Sequence, residues 1–363
     1  METILVTGGA GFIGSCFVRY LLESESDVRA VTLDALTYAG SLENLRELPD
    51  PARHVFVRGD IRDRDTVDKV MQDYRPDKVV HFAAESHVDR SISGPGHFVH
   101  TNIVGTYNLL EACRRLWSDN AGLGGDRFRF QHISTDEVFG SLGPTDPPFS
   151  ESTAYAPNSP YAASKAASDH LVRAYVHTYG FPAVITNCSN NYGPYQFPEK
   201  LIPLVILNAL EGNPLPVYGD GGHVRDWLFV ADHCEALGRV LHRGTVSETY
   251  NIGGGGQTTN LEVVEQVCAI MDKARPDSTW VPHRSLIRFV SDRPGHDRRY
   301  AMDISKMKEQ LGWQPRRTLA EGLQETVDWY LSHPEWVKSI RSNPEYQRWL
   351  QANYASRGEA TRT

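Results

Sequence analysis

Short runs of apolar, often β-branched residues alternate with longer amphipathic stretches through the first half of the chain. The runs at 3–7, 28–33, 55–58, 78–82, 129–134 and 183–187 predict strands, and the stretches at 11–24, 64–74, 102–117 and 161–179 predict helices. Strands this uniformly apolar are covered on both faces. Their βαβα order therefore predicts a doubly wound parallel α/β sheet flanked by helices. After Asn187 the texture changes: Pro and Gly become frequent, and a glycine-rich turn at 251–256 precedes a helical pattern at 260–274. Residues 1–188 are expected to form the first domain, with 231–250 folding back onto its sheet. A smaller α/β substrate domain is expected at 189–330. Residues 331–363 read as a polar and aromatic tail without motifs, disordered over 356–363.

Composition narrows the function. The 363 residues are 40% hydrophobic and 23% charged, an ordinary globular balance. The net charge, 37 − 45 = −8, is spread without single-sign blocks, which disfavours nucleic acid and anionic membranes as partners. Five widely spaced cysteines with no Cys-x-x-Cys pair fit reduced thiols in a cytoplasm better than disulfides or a zinc site. The chain opens directly on a strand-like run and has no apolar stretch of membrane-spanning length. A cytoplasmic protein that uses no metal is expected.

The first strand runs into Gly8-Gly9-Ala10-Gly11-Phe12-Ile13-Gly14, which carries the glycine spacing of a dinucleotide-binding (Rossmann) loop. Glycine permits the tight turn and lets backbone approach a pyrophosphate, and the helix that follows presents unpaired N–H groups to it. Asp34 ends the second strand, 34 − 14 = 20 residues on. A carboxylate there accepts from ribose hydroxyls and repels a 2′-phosphate, so NAD is favoured over NADP. Asp60-Ile61 closes the third strand, where Asp60 meets the adenine or caps the next helix. Ala83 and Ala84, after the fourth strand, let a cofactor lie close to the backbone.

Tyr161 and Lys165, at i and i+4, share a helix face. A nearby ammonium lowers a tyrosine's pKa, giving a phenolic base, although such pairs also occur on helix surfaces. Thr135, Asp136 and Glu137 follow a strand at the carboxyl edge of the sheet, where ligands bind in this architecture. Oxidising an alcohol needs the Tyr-Lys pair and a hydroxyl, not two adjacent carboxyls. An acid and a base beside a redox centre point to elimination of water, while helix capping by Asp136 is the structural alternative.

Four strings carry a resemblance: 8–14, Ala83-Ala84-Glu85-Ser86-His87-Val88-Asp89-Arg90-Ser91, Ser134-Thr135-Asp136-Glu137-Val138 and 161–165. Further strings at 187–194, 197–203, 225–227 and 292–297 extend it from about Met1 to Trp329. The chain resembles the extended short-chain dehydrogenase/reductases and, within them, the dTDP-glucose 4,6-dehydratase family.

The resemblance implies that Tyr161 takes the C4 hydroxyl proton while C4 hydride passes to NAD, and that Thr135 holds that oxygen. It also implies that Glu137 removes the C5 proton, Asp136 protonates the departing C6 hydroxyl, and the hydride returns to C6. The implied cofactor contacts include Phe12, Ile13, Leu36, Thr37, Ser86, Thr101 and Asn191. The implied substrate contacts include Ser86, Thr135, Asn190, Lys200, Leu201, Pro216, Tyr218, Asn260 and His296. Arg225 and Arg293 are the candidates for the diphosphate of a nucleotide sugar, since guanidinium binds phosphate in a fork, although a lone Arg is also a common ion-pair partner. Tyr218 is placed to stack on the pyrimidine.

The thymidine preference comes from the resemblance alone, because a pocket reading one methyl group discriminates by only about 1–3 kcal/mol. A UDP-sugar dehydratase and a nucleotide-sugar 4-epimerase remain alternatives, as does a non-enzymatic NAD sensor. Family members pair through helices matching 102–117 and 161–179, which implies a homodimer.

Overall fold

The computed structural model describes residues 1–119 and 128–355. Six strands form in chain order: β1 (Glu2–Thr7), β2 (Val28–Asp34), β3 (His54–Arg58), β4 (Lys78–His81), β5 (Arg129–Thr135) and β6 (Ala183–Cys188). With Thr249–Ile252 they make one seven-stranded, all-parallel sheet, ordered β3-β2-β1-β4-β5-β6 and then Thr249–Ile252 at the edge. Period-2 alternation sends neighbouring residues to opposite faces. Ile4 and Val6 join a cluster with Phe17, Leu21 and Leu237, while Leu5 joins Val67, Leu109 and Val172. One face is therefore covered by α1 (Phe12–Ser24) and Val230–Arg243. The other is covered by α2 (Arg64–Tyr74), Thr106–Asp119 and Pro160–Tyr179. The strand order reverses between β1 and β4, which opens a crevice beyond their carboxyl ends.

The stretch expected as one helix over 102–117 is divided. A π-helical segment, Val99–Gly105, precedes the α-helix Thr106–Asp119. An inserted residue of this kind leaves no mark in the hydrophobic period. Here it buries Asn102, whose amide donates to the Glu85 carbonyl and the Ser164 hydroxyl at 3.0 and 2.8 Å.

A second lobe packs over the crevice. Its helices Leu201–Glu211, Asn260–Ala274 and Leu319–Ser332 share a core with the strand Leu215–Tyr218, which pairs in parallel with Ile287–Val290. Beyond it the chain forms two helices, Pro334–Arg341 and Pro344–Ala355, where no element is expected from sequence. Each opens on a proline, which suits a first helical turn. Trp336 and Ile340, one turn apart, and Tyr346 are buried in the second core. The stretch expected to be disordered, 356–363, lies outside the described residues. Among the described residues no helix is long and apolar enough to cross a membrane.

Candidate active site

A cavity of about 430 Å³ lies between the lobes at the carboxyl edge of the sheet. Of the residues singled out from sequence, all but Leu36 line it. Leu36 instead adopts a left-handed backbone (φ 53°), and its N–H donates to the Asp34 carboxylate at 2.8 Å, so it shapes the turn that presents Asp34.

The β1–α1 turn requires glycine sterically. A Cβ on Gly8 would stand 2.7 Å from the Ala83 nitrogen, and one on Gly14 2.2 Å from the Gly8 carbonyl oxygen. Gly11 caps α1 with no side-chain partner, so the first N–H groups of the helix face the cavity unclaimed by a cap. The Asp34 carboxylate accepts from Ala10 N–H at 2.9 Å as well as from Leu36, and each oxygen keeps acceptor capacity. Burial holds its pKa above the ordinary value. Asp60 does not cap α2, a role taken by Asp63, and instead pairs with Arg62. A glycine cradle, an open helix terminus and a carboxylate ending β2 fit a dinucleotide's diphosphate and ribose.

The catalytic candidates converge from three elements. Thr135 ends β5 and caps the turn Asp136–Phe139 by accepting from Glu137 N–H at 3.3 Å; Asp136 is not the cap. Tyr161 stands in the first turn of the helix Pro160–Tyr179, and Thr135 lines the same cavity. Lys165, one turn on, donates its ammonium to the Ile133 carbonyl at 2.7 Å. The Tyr161 pKa runs opposite to expectation: burial and then the Glu137 charge push it well above the usual phenol value. The reason is the dry, carboxylate-rich surround, in which the ammonium expected to lower it is itself burial-depressed and tied to a strand carbonyl.

The two carboxyls are both raised by burial but have different charged neighbours. Asp136 is 2% exposed, and burial, Glu137 and Asp226 raise its pKa well above the usual range. Glu137 is also raised by burial, but Arg293, Lys200 and Arg225 counteract the shift. Adjacent in sequence and both raised by burial, they meet different charges: Glu137 and Asp226 favour the neutral form of Asp136, and Arg293, Lys200 and Arg225 favour the charged form of Glu137.

On the far side, Arg225 is buried and donates to the Val224 and Asp297 carbonyls, both at 2.8 Å. Arg293 pairs with Asp89 at 3.2 Å, so its ion-pair alternative holds at one end of the guanidinium. Its Nε is buried without a protein partner, as are Asn190 Oδ1, Asn260 Oδ1 and Asp136 Oδ2. Four orphaned polar atoms in residues lining one cavity are what a polar ligand would satisfy. Lys200 reaches the Ser86 carbonyl at 3.4 Å. The Tyr218 hydroxyl donates to Asp89 at 3.0 Å. His296 stacks on His223 at 3.7 Å and contacts Asp292 at 2.6 Å. Burial first, then Arg293, keep it neutral. Asn191 serves internally, between His233 and the Ser189 carbonyl.

Three acidic residues were not assigned roles from sequence. Asp89 aligns Arg293 and Tyr218, Glu199 pairs with Arg90 at 3.1 Å, and Asp226 raises Asp136. All three lie inside the strings quoted above, so the signal was present without a partner to interpret it.

A family model described as GDP-mannose 4,6 dehydratase matches residues 5–326. This chain belongs to that family. Within the dehydratase family, it is 60% identical to the dTDP-glucose 4,6-dehydratase of Xanthomonas campestris pv. campestris (strain B100), over 94% of this chain and 96% of that one. It is 53% identical to the dTDP-glucose 4,6-dehydratase of Salmonella typhimurium, over 98% and 99%. A solved dTDP-glucose 4,6-dehydratase from Bacillus anthracis, in complex with NAD, superposes with a TM-score of 0.82 at 46% identity, covering 94% of this chain and all of that one.

Proposed function

We propose that this member of the dehydratase family converts dTDP-glucose to dTDP-4-keto-6-deoxyglucose with NAD as its cofactor. The observation that carries the reading is the split pair Asp136/Glu137 set beside Thr135, Tyr161 and Lys165 in one cavity. Gly8, Gly11, Gly14 and Asp34 hold the dinucleotide. When bound, NAD would supply the hydride acceptor at C4 and the hydride donor at C6, and a cationic ring beside Tyr161 would favour its phenolate. Tyr161 takes the C4 hydroxyl proton, with Thr135 positioning that oxygen. The C4 carbonyl acidifies C5–H, Glu137 removes that proton, and C5 takes a proton back as hydride reaches C6. Asp136 supplies the proton with which the C6 hydroxyl leaves as water. Arg225 and Arg293, with Lys200, hold the diphosphate, and Tyr218 lies against the pyrimidine.

Incubation with dTDP-glucose in heavy water tests the reading. The expected product has lost water and carries solvent deuterium at C5. A C4-epimerised sugar with no deuterium would make the protein an epimerase, and NAD binding without turnover would make it a sensor. A parallel UDP-glucose arm reads the base preference, and equal turnover would remove the dTDP assignment.

The protein is proposed to act in the cytoplasm, where its five free thiols stay reduced. It is also proposed to be a homodimer. Val99, Val104 and Tyr107 of one helical stretch and Tyr179 of the helix Pro160–Tyr179 are exposed, whereas Leu109, Leu110 and Ala112 are used in the subunit's own core. A monomer mass by light scattering at micromolar concentration would reject the dimer.

A further inference from the structure

The helix Pro334–Arg341 lies beyond the matched family region, 5–326, yet it reaches back to the dinucleotide loop. The Trp336 indole N–H donates to Asn44 Oδ1 at 2.8 Å. The Asn44 amide in turn donates to the Ala10 carbonyl at 2.9 Å. Trp336, Asn44 and Ala10 are all buried, at 7, 2 and 0% exposure. Ala10 is the residue between Gly9 and Gly11. Its carbonyl accepts from Ser41 N–H at 3.0 Å as well, and its own N–H is held by Asp34. Both sides of this residue are thereby tethered. The Ala10–Gly11 peptide immediately precedes α1, so the orientation of the Ala10 carbonyl sets the direction in which the first N–H groups of that helix point. Trp336 is itself clamped, edge-to-face with Tyr330, Tyr195 and Trp329 at 5.9, 5.9 and 5.0 Å. Its indole N–H is therefore delivered in one direction by the packing of the second lobe.

We infer that Asn44 and Trp336 are positioning residues for dinucleotide binding: the C-terminal helix locks the glycine loop from the opposite lobe and slows release of the dinucleotide. The inference takes the dinucleotide from the reading above and adds a retention device to it. The side chains touch neither substrate nor reacting atoms. Their effect is read in cofactor dissociation, not in the chemical step.

Trp336→Phe keeps the aromatic packing and removes the N–H donor; Asn44→Ala removes both links. The experiment measures the rate at which NAD leaves the purified full-length protein, by stopped-flow displacement, alongside thermal stability. It also measures the KM for dTDP-glucose at saturating NAD. A lost buried hydrogen bond predicts NAD release about three- to tenfold faster in Trp336→Phe and faster still in Asn44→Ala, with the KM for the sugar nucleotide unchanged. A folded Trp336→Phe protein whose NAD release matches the wild type overturns the inference. So does one whose thermal stability drops while NAD release does not, since that is a purely structural role. If Asn44→Ala fails to fold, Trp336→Phe alone decides. The wild-type protein in the same assays reports separately on the function: failure of wild-type turnover with dTDP-glucose rejects the dehydratase reading, and leaves the NAD release comparison standing.

Discussion

Under the proposed function, the dinucleotide side of the cleft is lined largely by backbone and the nucleotide-sugar side by side chains. On the first side, one contiguous stretch, strand to glycine turn to helix, presents N–H groups, and a single carboxylate 20 residues on completes it. On the second, Asp89, Asn190, Lys200, Arg225, Asn260 and Arg293 come from six separate segments spanning more than half of the chain, and several orphaned atoms await a partner. A backbone site fails when an added atom displaces it; a side-chain site fails when a charge or donor is removed. The proposed catalytic group sits on the seam. Thr135 and the two carboxyls come from the sheet edge, while Asp226 and the three cations that split the carboxyl pKa values come from the second lobe.

The sharpest way to break the backbone side is Gly14→Ala. Its Cβ would lie 2.2 Å from the Gly8 carbonyl oxygen, with Gly9 Cα at 2.9 Å. NAD binding by calorimetry is expected to be lost while the fold persists by circular dichroism. Retained binding would show that the turn can relax and that the backbone site is less rigid than drawn.

At the seam, Glu137→Gln should lower kcat by about 10²–10⁴-fold, the usual weight of a positioned acid or base, with NAD affinity unchanged. The variant is expected to stall with reduced-cofactor absorbance on adding dTDP-glucose, because C4 oxidation does not need Glu137. Tyr161→Phe should show no such absorbance. Wild-type turnover in the first variant would remove Glu137 as the base.

The pH profile sharpens the same point. Glu137 works deprotonated and its pKa is raised, so kcat/KM should fall as pH drops through a value above the ordinary carboxylate range. Asp136 works protonated and is raised further by two carboxylate neighbours, so the rate should fall again as pH rises through its pKa. Asp136→Asn should erase the alkaline limb and keep the acid one. An unchanged alkaline limb would assign it to another group.

On the side-chain half, Arg293→Ala should raise the KM for dTDP-glucose by about ten- to a hundredfold, as expected for a lost charge-assisted contact, and leave NAD affinity alone. If NAD affinity fell equally, the two sides would not be separable. The smallest effect is expected from Trp336→Phe, which cuts a link from the second lobe to the backbone side.

The cofactor half was legible because its logic is local. Strand, turn, helix and Asp34 follow one another within a few dozen residues, and hydrophobic period plus glycine spacing suffice to read them. Leu36 shows the limit. Its positive φ and its N–H to Asp34 make it part of the turn that holds that carboxylate, and no spacing rule reveals a backbone angle. The second lobe was legible as strings without partners: Arg293 was found, but not the Asp89 that aligns it, 204 residues away.

The order of the sheet's strands and the glycine loop were determined by sequence alone, because each depends on neighbours in the chain. Three things were decided only in tertiary structure. The first is the direction of the Tyr161 shift, set by burial against the Glu137 charge. The second is the charge around two adjacent buried carboxyls, with Asp226 acting on Asp136, Arg293 and Lys200 on Glu137, and Arg225 on both. The third is the return of the C-terminal helix to the glycine loop. Proton affinity depends on desolvation and on charges a few ångströms away, and a linear chain does not record which distant residues those will be.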